Sequence, residues 1–187
     1  MGTFTPLTNQ LLIAMPALAD PNFSRTVTLI CDHSPDGALG LVINRPLELA
    51  LGDLFEQIDV DPALAQHGTD PIQYGGPVQN NRGFVLHEPL GHWESTLPVS
   101  DTLGLTTSQD ILHAIAEDRG PDTWLVALGY AGWGAGQLEQ EMADNAWLNG
   151  PADNRILFHT PLAERWQAAA ARLGVDLSTL HGGAGHA

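Results

Sequence analysis

Apolar residues along this chain fall in short runs divided by turn-forming residues, and each run predicts one element. Leu11 to Ala19 reads as a buried first strand, although Pro16 interrupts it. Thr26 to Cys31 and Leu39 to Asn44 are rich in Val, Ile and Leu, and Ser34-Pro35-Asp36-Gly37 joins them as a strong turn signal. They predict an antiparallel hairpin. A short helix is predicted from Leu51 to Ile58, followed by an acidic, Pro-containing loop to Asp70. Ile72 to Tyr74 reads as a strand that Gly75-Gly76-Pro77 breaks. Arg82 to His87 alternates as a further strand, with Phe84 and Leu86 on one side and Val85 and His87 on the other. Its continuation from Trp93 to Val99 completes an antiparallel meander. Thr107 and Asp110 resemble a capping pair before a helix from Ile111 to Glu117, which Gly120-Pro121 ends.

The run Thr123 to Leu128 is apolar at nearly every position, as in a strand covered on both faces near the centre of a sheet. Four glycines follow, Gly129, Gly132, Gly134 and Gly136, freeing the backbone to turn sharply and to approach either another segment or a ligand. From Gln137 to Leu148 the spacing predicts a helix with Leu138, Met142, Ala143 and Ala146 on one arc and Glu139 inside it. With Gly136 as N-cap, Glu139 stands at N3, where its carboxylate reaches back to unpaired backbone N–H groups; a ligand-binding or proton-transfer role is the alternative. The order strand (Thr123 to Ala131), helix, strand (Arg155 to His159) predicts a parallel pair with a right-handed crossover. Thr160-Pro161 opens a last helix from Leu162 to Leu173, with Trp166 on its apolar side and Gly174 as its stop. Residues 181–187 read as a disordered Gly and His tail. The expected fold class is α+β: a single domain over residues 1–180 with a mixed sheet, built of antiparallel hairpins plus one βαβ unit, and flanking helices.

Four blocks, in order, resemble the YqgE/AlgH family over most of the chain from Leu11 to Leu177. They are Met15-Pro16 with Asp20-Pro21-Asn22-Phe23; Cys31-Asp32-His33 with Gly37-Ala38-Leu39-Gly40 and Asn44-Arg45-Pro46; Gly75-Gly76-Pro77-Val78 with Arg82 to His87; and Gly129 to Trp133 with Gln137-Leu138-Glu139 and Asn145 to Leu148. The resemblance implies a strongly curved, barrel-like sheet and a bacterial protein of uncharacterised chemistry. The AlgH label implies regulation of exopolysaccharide synthesis, which is a genetic role and not a reaction.

Composition narrows the function classes. The 187 residues hold no Lys; seven Arg face 22 acids, for a formal net charge of -15. A GxxxxGK[ST] phosphate loop and a Schiff-base lysine are thereby excluded. The scattered Arg residues disfavour direct nucleic-acid binding, which needs clustered positive charge. The Ala17-Leu18-Ala19 sequence superficially resembles a signal-peptide cleavage site, but no Lys or Arg precedes Arg25. No apolar stretch reaches membrane-spanning length. A single cysteine cannot form an intramolecular disulfide, in agreement with a reducing compartment. These readings predict a cytoplasmic protein without membrane or direct nucleic-acid contact, whose partner is an unknown small molecule or protein.

The candidate chemistry is sparse. Cys31 and His33 stand two apart on a strand, where both side chains can share a face, so an imidazole-tuned thiol in an enzyme or redox sensor is one reading and a small buried core residue the other. His87-Glu88 lacks the H-E-x-x-H spacing, Gly132 to Gly136 does not match GxGxxG, and no G-x-S-x-G occurs. No metal site and no cofactor is assigned. Asn44, Arg82, Tyr130, Trp133 and Glu139 are the polar or amphipathic groups in the family blocks and the ligand-binding candidates. The leading expectation is a binding or regulatory protein, without assigned catalysis, whose cleft lies near Gly129 to Gly136. A protein-interaction module docking through Trp93, Trp133 or Trp147 is the further alternative.

Overall fold

The computed structural model describes residues 4–180, which form ten strands and four short α-helices. The strands are β1 (Gln10–Ala14), β2 (Val27–Ser34), β3 (Gly37–Val42), β4 (Arg45–Ala50), β5 (Pro71–Tyr74), β6 (Val78–Glu88), β7 (Thr96–Pro98), β8 (Gly104–Thr106), β9 (Thr123–Gly134) and β10 (Trp147–Pro151). The helices are α1 (Leu51–Gln57), α2 (Asp110–Ala116), α3 (Gln137–Ala143) and α4 (Arg165–Ala171). The main sheet runs β10-β1-β2-β3-β9-β6-β8-β7, with β4 and β5 joined to it through β9, and it curls into a half-barrel.

The apolar run expected at the centre of the sheet is indeed its spine. β9 is 12 residues long and pairs with three strands. Its first half lies antiparallel to β6, with Phe84 opposite Ala127 and Leu86 opposite Leu125. Ala127 and Leu128 also pair with Gln73 and Tyr74 of β5, in parallel. Ala131 to Gly134 then pair antiparallel with β3. Where β5 gives way to β3, Gly75 N–H donates to Leu128 O (2.8 Å) and Val42 N–H to Gly75 O (2.8 Å).

Glycine makes this junction possible. A Cβ on Gly76 would stand 2.0 Å from the carbonyl carbon of Tyr130, one on Gly75 2.3 Å from Gly129 O, and one on Gly129 2.2 Å from Gly76 O. Gly129 also has φ +79°, a left-handed conformation that favours glycine. The close approach that the glycines permit is therefore to another segment of the chain. Most of the expected glycine turn is strand; the reversal itself is confined to Ala135-Gly136.

Three apolar clusters line the curled sheet. The main one gathers Leu29, Leu41, Phe84, Leu86 and Leu105 with Ala169 and Ala170 of α4. A second packs Val85 and Val126 against Leu51, Leu54 and Phe55 of α1 and Ile111 and Ile115 of α2. A third joins Leu12, Ile30, Trp133 and Trp147 to Leu138 of α3. The alternation read along β6 is realised, with Phe84 and Leu86 in one cluster and Val85 in another. His87 is buried and hydrogen-bonded through Nδ1 to Pro89 O (2.9 Å) and through Nε2 to Thr106 Oγ1 (2.6 Å).

Several sequence expectations are corrected. The helix expected from Gln137 to Leu148 stops at Ala143, because Asn145 takes φ +59° and turns the chain into β10, antiparallel to β1. Arg155–His159 is a π-helical turn and not a strand, since Asp153 holds it through Oδ1 to the N–H of Arg155 (2.8 Å) and through its carbonyl to the N–H of Leu157 (2.9 Å). The expected βαβ unit therefore does not form, and the parallel pair of the mixed sheet is β5 with β9. Thr107 does not cap α2; Asp110 instead accepts from Ser108 Oγ (2.5 Å) and Glu94 N–H (2.9 Å). The last helix begins as a 3-10 turn, Leu162–Glu164, before α4, and Gly174 with φ +73° follows it. The expectation for 181–187 lies outside the described residues.

The junction predicts a contrast between two left-handed glycines. Gly129→Ala meets backbone and should cost about 3 kcal/mol, combining backbone strain with overpacking. Gly136, φ +76° with nothing within 4 Å of a Cβ, should cost only about 1 kcal/mol as Gly136→Ala. Urea unfolding measures both, and equal losses would contradict a tight crossing at Gly129.

Candidate functional site

A cleft of about 670 Å³ opens between α1, α2 and β6. The register of β6 against β9 jumps from Val78 opposite Tyr130 to Gly83 opposite Leu128, so Gln79 to Arg82 leave the ladder, and Gln79, Asn81 and Arg82 line the cleft. Leu54, Ile58 and Leu112 supply its apolar part; Gln57, Gln79, Asn81 and Gln109 supply carboxamides, and Ser108 a hydroxyl. Arg82 and Glu94 are its charges. Arg82 is exposed, lies 5.9 Å over the Phe84 ring and reaches Gln79 Oε1 at 3.5 Å, and no carboxylate pairs with it among the described residues. A second cavity of about 250 Å³ shares Leu54, Gln57 and Asn81 and continues to Leu49 and Leu128. The cleft thus combines an apolar floor, carboxamide walls and a guanidinium with no carboxylate partner among the described residues.

The five ligand-binding candidates do not converge. Only Arg82 lines this cleft. Asn44 clamps the start of β2, accepting from Val27 N–H (2.9 Å) and donating to Arg25 O (2.9 Å). Tyr130 is half-buried against Phe84, with ring centroids 5.5 Å apart. Trp133 is buried in the third cluster, where Phe23 stacks on it at 5.9 Å. Glu139 does not cap α3; its Oε1 makes a very short contact with Nε2 of the buried His33. His33 Nδ1 accepts the N–H of Leu7 (2.9 Å), which leaves the ring proton on Nε2, facing that carboxylate.

A carboxylate that the sequence reading passed over organises this region. Glu141 Oε1 accepts from the indole N–H of both Trp133 (3.1 Å) and Trp147 (3.0 Å), and Oε2 accepts from Gln137 Nε2 (3.0 Å). Buried indoles need acceptors, and a glutamate between two tryptophans in sequence was the available signal. The tryptophans are thus core groups held by a shared acceptor rather than exposed docking residues.

Cys31 and His33 are separated by a bulge. The pairing of β2 with β3 shifts between Ile30 and Asp32, so Cys31 turns into the main core while His33 faces α3. The thiol is 1% exposed and contacts Leu29 O at 3.7 Å. Burial pushes its pKa far up, and the Asp32 carboxylate adds to the rise. Cys31 thus packs within the core, while the His33 imidazole is engaged by Glu139. Among the described residues no three His, Cys, Asp or Glu side chains converge as metal ligands, and no helix is long and apolar enough to cross a membrane.

A family model described as AlgH-like (DUF179) matches residues 11–178. The chain belongs to the AlgH-like family. A UPF0301 protein of Thioalkalivibrio sulfidiphilus is 60% identical over 187 residues, all of both chains. One of Nitrosococcus oceani is 55% identical, again over the whole of each. The solution structure of the AlgH protein from Pseudomonas aeruginosa matches with a TM-score of 0.81 at 53% identity, covering 100% of this chain and 99% of that one. A crystal structure of protein DIP2367 from Corynebacterium diphtheriae shares the fold at a TM-score of 0.74 and 20% identity, covering 97% of this chain and 94% of the other. The glycine blocks by which the AlgH-like family is recognisable in this chain, Gly75-Gly76 and Gly129, meet at the strand junction.

Two outcomes follow from this geometry. Cys31 should stay unreactive toward a disulfide reagent at pH 8 until the protein unfolds, so its labelling rate should match the global unfolding rate. Glu141→Leu strands two buried indole donors and should cost about 3 kcal/mol, whereas Glu141→Gln keeps an acceptor oxygen and should cost about 1 kcal/mol, by thermal or urea unfolding.

Proposed function

We propose that this AlgH-like protein is a cytosolic binding protein of regulatory character, and that the cleft between α1, α2 and β6 takes a small polar ligand. The observation that carries this reading is the Arg82 guanidinium, without a carboxylate partner among the described residues, set among carboxamides above Leu54 and Leu112. Such a surface offers hydrogen bonds and two opposite charges, Arg82 and Glu94, and its Ser108 hydroxyl is held by the Asp110 carboxylate that also receives the Glu94 N–H, an arrangement that favours binding over turnover. The cytosolic assignment draws support from the unpaired, buried cysteine.

The test is native mass spectrometry of the untagged full chain after exposure to a polar metabolite extract of its source cell. A retained small molecule is expected, with affinity reduced about tenfold in Arg82→Ala through loss of a charge-assisted hydrogen bond. Because Arg82 is exposed, its replacement should leave the melting temperature nearly unchanged. Chemical conversion of the retained molecule, or unchanged affinity in Arg82→Ala, would overturn the proposal.

A further inference from the structure

Arg165, the first residue of α4, is 4% exposed. Its Nε donates to Thr160 O (2.8 Å) and its Nη1 to Ile43 O (2.5 Å), both neutral carbonyls. Among the described residues no carboxylate stands within ion-pair distance of it. Burial draws its pKa down to about 10, so it remains a cation at neutral pH. Buried charges are ordinarily paired, because desolvation without a counter-charge is costly. Two of the five guanidinium N–H donors are committed to the carbonyls, which leaves three.

Arg165 borders a cavity of about 220 Å³, together with Gln73, Trp124 and Phe158. Gln73 is 7% exposed, and its Oε1 is buried without a hydrogen-bond partner. Whichever way the carboxamide is turned, an unmet polar group shares the cavity with an unpaired buried cation. Asp70 also lines the cavity, but its carboxylate is engaged by His67 Nδ1 at 3.0 Å.

We propose that this cavity binds a small oxyanion, the carboxylate or phosphate group of a metabolite, through the uncommitted N–H groups of Arg165 and the carboxamide of Gln73. The anion supplies a counter-charge that no described carboxylate provides and, with the carboxamide turned so that Nε2 takes the place of the unpartnered Oε1, accepts its N–H, while Trp124 and Phe158 form apolar wall. The cavity has room for such a group and a short attached chain. This site is separate from the Arg82 cleft and does not depend on its function.

The test titrates acetate and, separately, inorganic phosphate into the full chain at constant ionic strength against a chloride reference. The Gln73 amide and Trp124 indole resonances are followed by NMR. Saturable shifts with at least one probe are expected, and the probe that saturates distinguishes carboxylate from phosphate. Gln73→Leu should weaken binding about fivefold, the worth of one net hydrogen bond, and Arg165→Met should abolish it. Since Arg165→Met also removes two bonds to backbone, Gln73→Leu, which retains both, decides the matter if the arginine variant does not fold. Shifts no larger than those of chloride with both probes, or full affinity in Gln73→Leu, would overturn the proposal and leave a water-filled cavity around a structural arginine.

Discussion

The backbone-on-backbone contact between Gly75-Gly76 and Gly129-Tyr130 is the constraint on which the architecture turns. One strand, β9, must hold β6 along one stretch, β5 in parallel, and then β3, and the exchange of partners takes place within a few residues. Side chains at the crossing would hold the segments apart, and the amides of Gly75 and Val42 would lose the carbonyls that stitch the junction. Glycine costs conformational entropy in a strand. Here that cost is offset by a junction that no other residue permits, and by the continuous ladder it preserves through the sheet.

The same junction shapes the surface. The Gly76 turn and the register jump after Val78 push Gln79 to Arg82 out of the ladder and over α1 and α2, so the Arg82 cleft is a consequence of the fold's central crossing. On the α3 side the sheet is closed differently. Glu141 satisfies two indoles, Glu139 meets His33, and Asn44 clamps the start of β2. These polar groups meet the hydrogen-bonding needs of residues that the apolar clusters bury, which is why most of the family-block side chains are structural. Arg165 differs from them, in that among the described residues its charge meets only neutral carbonyls.

Local signals were strongest where one interaction range decided the outcome. The β2–β3 hairpin, the alternation along Arg82 to His87, the centrality of Thr123 to Leu128 and the stop at Gly174 were all legible, because turn chemistry and side-chain period act within a few residues. The reading failed where long-range pairing competed with local pattern. Gln137 to Leu148 carries a helical arc throughout, yet Trp147 and Leu148 are worth more against β1 than in another helical turn. Arg155 to His159 looks like a strand, but Asp153 winds it into a π-turn instead. Of the site candidates, Arg82 alone reached a cleft, since whether a polar side chain faces a partner or a cavity depends on residues far away in sequence.

By itself the sequence determined the α+β class, the family, the glycine positions at which the chain must be bare, and the exclusion of lysine-dependent chemistry. These rest on residue identity and short spacing. Tertiary structure alone decided that Gly75, Gly76 and Gly129 approach backbone, that a bulge parts Cys31 from His33, that two tryptophans share Glu141, and that Arg165 is buried beside Gln73 with no carboxylate in ion-pair reach among the described residues. Each depends on strand register or on contacts between distant segments, and a one-residue shift in register, which sends a side chain to the opposite face, leaves no mark in the sequence.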